Sequence, residues 1–367
     1  MKVAWIADIH VGNHGSCGGA YSAGLNERCR ITIDALWAAC RMAEQRGCRA
    51  LVVLGDIFDS SRPSPQIVAA VGRVLDSFEG EVFVIAGNHD MNSATQGDHA
   101  LGPLSLCSRV AVVDRPATYE RDGEALVLVP FQPGPAHEWL PAATAEALDK
   151  RSISSSTTLH LGIHLGIRDS DIAARHAWAS SAHDAVDLEL LTKLCRAHGI
   201  RTAIAGNWHS RRRWPGNPDI IQCGALVPTG WDNPGLQNYG SVWITDGNAL
   251  AQFFEVVSAR FVDYDPNMPL PGWRDLFVRC RAEPKDISVR SAELLKLREA
   301  GKIRDFKVVP DRAQAEEQAA SASAAARAAE TLESAVHEFI ERMPVPPKVN
   351  RESIHTAVRR HMQGGSG

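Results

Sequence analysis

Apolar and polar positions alternate between two periods along the first third of the chain. Lys2–Ala7 is a short apolar run that reads as a strand. Arg30–Gln45 carries Ile31, Ile33, Leu36, Trp37, Cys40 and Met42 at helical spacing. Leu51–Leu54 is a strand-like run, Gln66–Phe78 is helical again, and Glu81–Ala86 predicts a third strand. This β-α-β-α-β order predicts an α/β sheet with a parallel core and covering helices. Further strands are expected at Ala125–Pro130, Leu159–Ile163, Thr202–Ala205, Ile220–Cys223, Ser241–Thr245 and Ala251–Val257. Little helical pattern separates them, so a second and more antiparallel sheet is predicted.

A proline-rich break at Asp265–Gly272 closes this region. Beyond it, Leu276–Arg281, Val289–Leu297 and Lys307–Pro310 predict a small βαβ unit. From Asp311 to Glu330 the chain is rich in Ala, Glu, Gln and Ser, which favours helix without offering a core face. An apolar face appears only at Leu332, Val336, Phe339, Ile340 and Met343. Pro344–Pro347 breaks it, and Asn350 is a good N-cap for a last helix carrying Ile354, Val358 and Met362. Three domains are therefore expected: 1–268, 269–310 and 311–363.

Composition narrows the class. The 367 residues carry net charge −4, with 44% hydrophobic and 22% charged residues, as in ordinary globular proteins. No apolar run reaches the roughly 20 residues needed to span a bilayer. Asp8 and His10 sit where a secretory leader needs its apolar stretch, so a cytoplasmic protein without membrane association is expected. The eight cysteines are scattered and none forms a CxxC pair, which argues against a disulfide framework or thiolate zinc site. Mild net acidity means that any polyanion would need a local positive potential.

The chemistry collects at predicted strand ends. Asp8 and His10 follow the first strand in ADIHVG, Asp56 follows the second in LGDIFD, and Asn88, His89 and Asp90 follow the third in AGNHD. His164 ends LHLGIH, and His209 lies in AGNWHS. Ligands of open α/β sheets bind at the carboxyl ends of strands. Oxygen and nitrogen donors without thiolate suit Mn²⁺, Fe²⁺ or Zn²⁺, and one shared carboxylate could serve two cations. His160 lies on the same strand face as His164 and competes with it. Arg211, Arg212 and Arg213 could clamp a nucleic-acid backbone, and Trp208, Trp214 and Trp231 could stack on bases. Arg168, His14 and His99 are weaker neighbours of the motifs.

The ordered motifs D-x-H, G-D-x-x-D, G-N-H-D, a lone His and G-x-x-H resemble the calcineurin-like metallophosphoesterases over residues 1–257. The surrounding text ADIHVG, GDIFDSSRPSP, AGNHD and DHALGPL is similar to the SbcD-type nucleases of DNA double-strand-break repair. The resemblance implies an α/β (α+β) fold: a four-layer αββα sandwich with a small α/β cap domain and a C-terminal helical tail. It implies that Asp8, His10 and His209 hold one metal, Asn88 and His164 a second, and Asp56 bridges them. His89 would assist the leaving oxygen as general acid, with Asp59 and Asp90 orienting histidines. Two divalent ions, Mn²⁺ by resemblance, would be the cofactors. The family usually ends G-H-x-H, whereas this chain has Asn207 at the first of those histidines, a weaker oxygen donor for the second metal.

The implied activity is 3′-to-5′ exonuclease on duplex DNA and endonuclease on single strands. The cap at 269–310 would bind DNA. The tail, through Leu332, Val336, Phe339, Ile340, Ile354 and Val358, would hold an SbcC-type ATPase subunit, and the early helices could form a homodimer. The motifs alone also admit a small-molecule phosphatase or phosphodiesterase, or a non-catalytic scaffold that binds DNA or the ATPase.

Overall fold

Asn26 ends the first loop and starts the first long helix, its side chain accepting the Cys29 N–H at 2.8 Å. The chain runs β1 (Lys2–Ile6), the short strands β2 (Tyr21–Ser22) and β3 (Leu25–Asn26), α1 (Glu27–Gln45), β4 (Ala50–Leu54), α2 (Pro65–Asp76) and β5 (Glu81–Ile85). Next come β6 (Val110–Val113), β7 (Ala117–Arg121), β8 (Glu124–Val129), α3 (Ala136–Asp149) and β9 (Thr158–His164). Then follow β10 (Gly166–Arg168), β11 (Ala185–Asp187), α4 (Leu188–Ala197), β12 (Ile200–Gly206), β13 (Arg212–Trp214), β14 (Asp219–Gln222), β15 (Ser241–Asp246) and β16 (Gln252–Glu255). The computed structural model describes residues 1–149, 154, 156–171, 182–231, 240–247, 251–256, 259–272, 275–311 and 352. Leu332, Val336, Phe339, Ile340, Ile354 and Val358, proposed for partner binding, lie outside the described residues.

Two six-stranded sheets dominate. The first has order β16-β15-β1-β4-β5-β6, parallel from β1 to β6 with β15 and β16 antiparallel at one edge. The second has order β13-β14-β12-β9-β8-β7, with a parallel centre and one antiparallel strand at each edge. The expected excess of antiparallel pairing in this second sheet is therefore absent. The reason is that α3 and α4, which the sequence pattern did not reveal, supply the crossovers that parallel strands require. Pro141 lies inside α3 and hid it, while α4 is only ten residues long.

Strand alternation builds three core layers. Ala4, Ile6, Leu51, Val53, Val82 and Val84 pack under α1 and α2. Leu161, Ile163, Ala203 and Ala205 pack under α3 and α4. Trp5, Val52, Leu54 and Ile85 of the first sheet meet Leu126, Leu128, Ile204 and Ile221 of the second. The result is the four-layer αββα sandwich. One inward residue was misread: Trp37 is 52% exposed, with the Arg41 guanidinium 6.0 Å from its ring centre. All eight cysteines are free, and burial pushes the Cys40 and Cys195 thiols up to about 12.

Beyond the sandwich, β17 (Arg260–Tyr264), β18 (Leu276–Ala282), α5 (Ile287–Glu299) and β19 (Asp305–Pro310) complete the described elements. The βαβ pattern expected after residue 276 thus matches β18, α5 and β19. The chain divides into one unit of Met1–Cys280 with Ser291–Lys307 and another of Arg281–Arg290 with Val308–Gly367. No helix among the described residues is long and apolar enough to cross a membrane.

Gly162 is a close-packed point between the sheets. A Cβ there would meet Leu54 Cδ2 and Leu128 Cδ2 at 2.9 Å and Trp5 Cζ3 at 3.0 Å. Gly162→Val is predicted to cost about 1–3 kcal/mol by overpacking. The check is the urea midpoint, which should fall with an unchanged slope.

Candidate metal centre

The parallel strands of both sheets end at one edge, and the polar motifs fall there. Asp8 and His10 follow β1, Asp56 follows β4, Asn88 and His89 follow β5, His164 closes β9, and Asn207 and His209 follow β12. Each turn is held by backbone hydrogen bonds to its neighbour: Ile9 and His10 N–H donate to the Asp56 carbonyl at 2.9 and 3.0 Å. Asp8, His10, Asp56 and Asn207 have φ of 51°, 50°, 50° and 79°, a left-handed conformation that non-glycine residues rarely adopt. Such strain concentrates at functional sites. Gly87 makes room, since a Cβ there would strike Asp56 Oδ1, Asp56 N and His164 Cε1.

The side chains converge. His10 Nε2 lies 3.1 Å from His209 Nε2 and 3.6 Å from Asp56 Oδ2. His164 Nε2 lies 3.4 Å from Asp56 Oδ1 and 2.9 Å from Asn88 Oδ1. His164 Nδ1 donates to the Leu54 carbonyl at 2.6 Å, which turns Nε2 towards the centre. Among the described residues, three metal-capable groups result: Asp8, His10 and His209; Asp8, Asp56 and His164; and His10, Asp59 and His89. Asp8 and Asp56 are buried with His10 and His164, whereas His89 is exposed.

Electrostatics follow from this crowding. Burial pushes the Asp8 carboxyl up to about 7, with His164 opposing and Asp56 adding to the shift. Burial lowers His10 to about 3, against the attraction of Asp56. Burial also opposes charge on Asp56, yet His164, His10 and His89 hold its carboxyl below the usual carboxylate range. For His164 burial is likewise outweighed, and Asp56, Asp8 and the Leu54 carbonyl raise it to about 10.

The residues fit a divalent cation. Asp8 Oδ2 is buried without a hydrogen-bond partner, an arrangement that a bound cation would relieve. Two imidazole nitrogens facing each other beside a carboxylate make up a nitrogen and oxygen donor set that such a cation takes.

The other candidates separate. His160 is not in the centre: its Nε2 pairs with buried Glu124 at 3.1 Å, so His164 is the residue at the site. Asp59 Oδ1 lies 3.8 Å from His10 Nδ1, beyond hydrogen-bond distance, and Oδ2 lies 3.4 Å from His14 Nδ1. Asp90 differs from expectation. Its carboxylate accepts the Phe58 and Gly87 N–H groups at 3.1 and 3.0 Å, so it fixes the two turns rather than an imidazole. His99 pairs with Asp114 at 2.7 Å, and Arg168 with Asp187 at 2.7 Å.

Two of the three successive arginines have carboxylate partners. Arg212 pairs with Asp169 and Asp171 at 2.8 and 3.4 Å, and Arg213 binds both oxygens of Asp219 at 2.9 and 2.8 Å. Arg211 lies 3.5 Å over the Phe253 ring. Trp214 donates to Asp169 at 2.9 Å and Trp231 to the Val262 carbonyl at 2.9 Å, so both indoles have structural partners. Trp208 packs on Gly166. The sequence reading missed Asp184, which binds the Asn207 carboxamide; it belongs to no motif, and only the fold brings it there.

The Calcineurin-like phosphoesterase family model matches residues 1–211. Among solved structures, TT1561 of Thermus thermophilus is 10% identical, with 70% of this chain and 99% of that chain covered and a TM-score of 0.46. A dimetal phosphatase from Danio rerio is 14% identical, covering 70% and 99%, with a TM-score of 0.39. Pseudomonas putida nuclease MPE is 21% identical, covering 46% and 64%, with a TM-score of 0.23. No curated protein matches the chain.

Two outcomes are expected. With its Cβ driven against Asp56 and His164, Gly87→Ala should lose divalent-cation binding, measured calorimetrically. Cation uptake should also release protons, because the metal-free centre holds a proton on His164 at neutral pH and shares one at Asp8 near pH 7. Affinity should therefore fall as pH drops from 8 to 6. Binding heats that do not vary with buffer ionisation enthalpy would sink this second expectation.

Proposed function

The chain belongs to the calcineurin-like phosphoesterase family, and from that premise we propose that it is a two-metal phosphodiesterase of the SbcD type acting on DNA. The observation that carries the phosphodiesterase reading is the convergence of Asp8, His10, Asp56, His164 and His209 in overlapping metal-capable groups. The text around the motifs supports DNA as substrate.

Asp8, His10 and His209 would hold one cation. Asn88 and His164 would hold the second, with Asn207 as a further oxygen donor and Asp56 shared between them. Mn²⁺ is the proposed ion. When bound, the cations would supply Lewis acidity at the phosphate and a water activated at neutral pH. His89 Nδ1 donates to the Asp59 carbonyl at 3.2 Å, which leaves Nε2 to face a leaving-group oxygen and give it a proton. Its backbone N–H donates to Asp56 Oδ1 at 2.9 Å, fixing the distance between proton donor and shared carboxylate. The proposed setting is the cytoplasm, in complex with an SbcC-type ATPase held by the tail at 311–363.

A specific observation favours a second reading. Arg212 and Arg213, expected after His209 as part of a backbone clamp, are committed to carboxylates. A small-molecule phosphodiesterase would have no use for one.

The deciding experiment incubates the full chain and MnCl₂ with end-labelled duplex and single-stranded DNA, and with bis(p-nitrophenyl) phosphate in parallel. The DNA reading expects Mn²⁺-dependent cleavage, with His89→Asn slower by about 10²–10⁴-fold and Asp56→Ala inactive. Hydrolysis of the small diester alone would overturn the DNA reading and favour its rival. No hydrolysis of either would overturn both.

A further inference from the structure

Asn207 is held by a carboxylate at each end. Its backbone N–H donates to Asp8 Oδ1 at 2.9 Å. Its side-chain Nδ2 donates to the Asp184 carbonyl at 2.9 Å and to Asp184 Oδ2 at 3.0 Å. Both Asp184 groups can only accept, so the carboxamide has one sensible orientation: nitrogen on Asp184 and Oδ1 at the other end.

Asp184 is itself anchored beside the centre. Its carbonyl also accepts the Gly166 N–H at 2.9 Å, and Ala185 then pairs with Gly166 as β11 meets β10. Gly166 stands two residues beyond His164, and a Cβ there would strike the Trp208 ring. Asp184 therefore joins the segment leaving His164 to the turn that carries Asn207, Trp208 and His209. That turn begins at Gly206, which is in register with His164 across β12 and β9.

Resting on the two-metal reading, we propose that Asp184 is the positioning residue for the second cation. By binding Nδ2 it leaves Asn207 Oδ1 as the carboxamide atom able to act as a donor, on the turn whose first residue is in register with His164. Carboxylates placed behind imidazole ligands fix ring orientation in the same way. Here the oriented ligand is a carboxamide, which unassisted could turn its nitrogen towards a cation and repel it.

The test is MnCl₂ calorimetry on the full chain, with electron paramagnetic resonance to report spin-coupled Mn²⁺ pairs and circular dichroism to check folding. Asp184→Ala should leave the first equivalent unchanged and weaken the second by about 10–100-fold, so that coupled pairs form only at higher Mn²⁺. Asp184→Asn keeps an acceptor oxygen and should restore most of the affinity. Asn207→Ala should weaken the second equivalent at least as much as Asp184→Ala.

Unchanged binding in Asp184→Ala beside a weakened second equivalent in Asn207→Ala would overturn the positioning role alone. An unaffected second equivalent in Asn207→Ala would overturn it by removing the ligand that it serves. Equal weakening of both equivalents in folded Asp184→Ala would overturn it in favour of a general structural role. A single equivalent in the wild type would instead overturn the two-metal reading, and the proposal with it.

Discussion

One buried carboxylate, that of Asp56, holds the centre together. Its backbone carbonyl accepts Ile9 and His10, which fixes the turn after β1. Its Oδ1 accepts the His89 N–H, which fixes the turn after β5, and lies 3.4 Å from His164 at the end of β9. Its Oδ2 lies 3.6 Å from His10. The two sheets therefore share an edge partly because both address the same side chain. Burying a carboxylate costs several kcal/mol unless partners offset it. Here the partners are the histidines and N–H groups that the chemistry needs in place, so stabilising the charge and assembling the site are one event.

The cost of that assembly is visible in the backbone. Asp8, His10 and Asp56 each sit at φ near 50°, and a sparsely populated conformation costs on the order of 1–3 kcal/mol. Asp8 Oδ2 adds a buried acceptor with no partner. Neither feature helps folding. Both are tolerated because the strands leading into these turns are anchored in three apolar layers, which leave the turns little freedom to relax. A rigid frame with unsatisfied oxygen and nitrogen donors is what a cation-binding centre requires. It also explains why Gly87 has no Cβ: the space is taken by Asp56 and His164.

Much of this could be read from the chain because it is written in local signals. Strand, then glycine, then a polar residue recurs at Gly55-Asp56 and Gly87-Asn88. The expected strands, with α1 and α2, fall within a few residues of their expected bounds, whereas the edge strands β6, β7 and β13 carry no such signal. What failed was non-local. The parallel centre of the second sheet depends on α3, which Pro141 masks. Position at the strand end already favours His164 over His160, but the partner that claims His160, Glu124 on the neighbouring strand, is visible only in the fold. The resemblance assigns Asp90 to a histidine, yet its oxygens are claimed by Phe58 and Gly87 N–H groups from two turns. Spacing along a chain tells which groups leave a strand together. It does not tell which partner reaches them first.

The arginines carry the same lesson into function. Arg211, Arg212 and Arg213 are adjacent in sequence, but the strand they enter separates them, and carboxylates from three other positions take up two of the charges. Asp169, Asp171 and Asp219 lie within 3.4 Å of those guanidinium groups, well inside the roughly 8 Å over which physiological salt screens a charge. An approaching phosphate therefore meets two neutral pairs, with Arg211 over the Phe253 ring, where the sequence suggested a basic stripe. On the reading proposed above, the attraction that brings a phosphodiester to this edge would arise largely at the centre, from the cations that its donors would hold. Recognition concentrated on one phosphate places little demand on what lies to either side of it, which is why the identity of the substrate turns on cleavage of DNA and not on the charge of the rim.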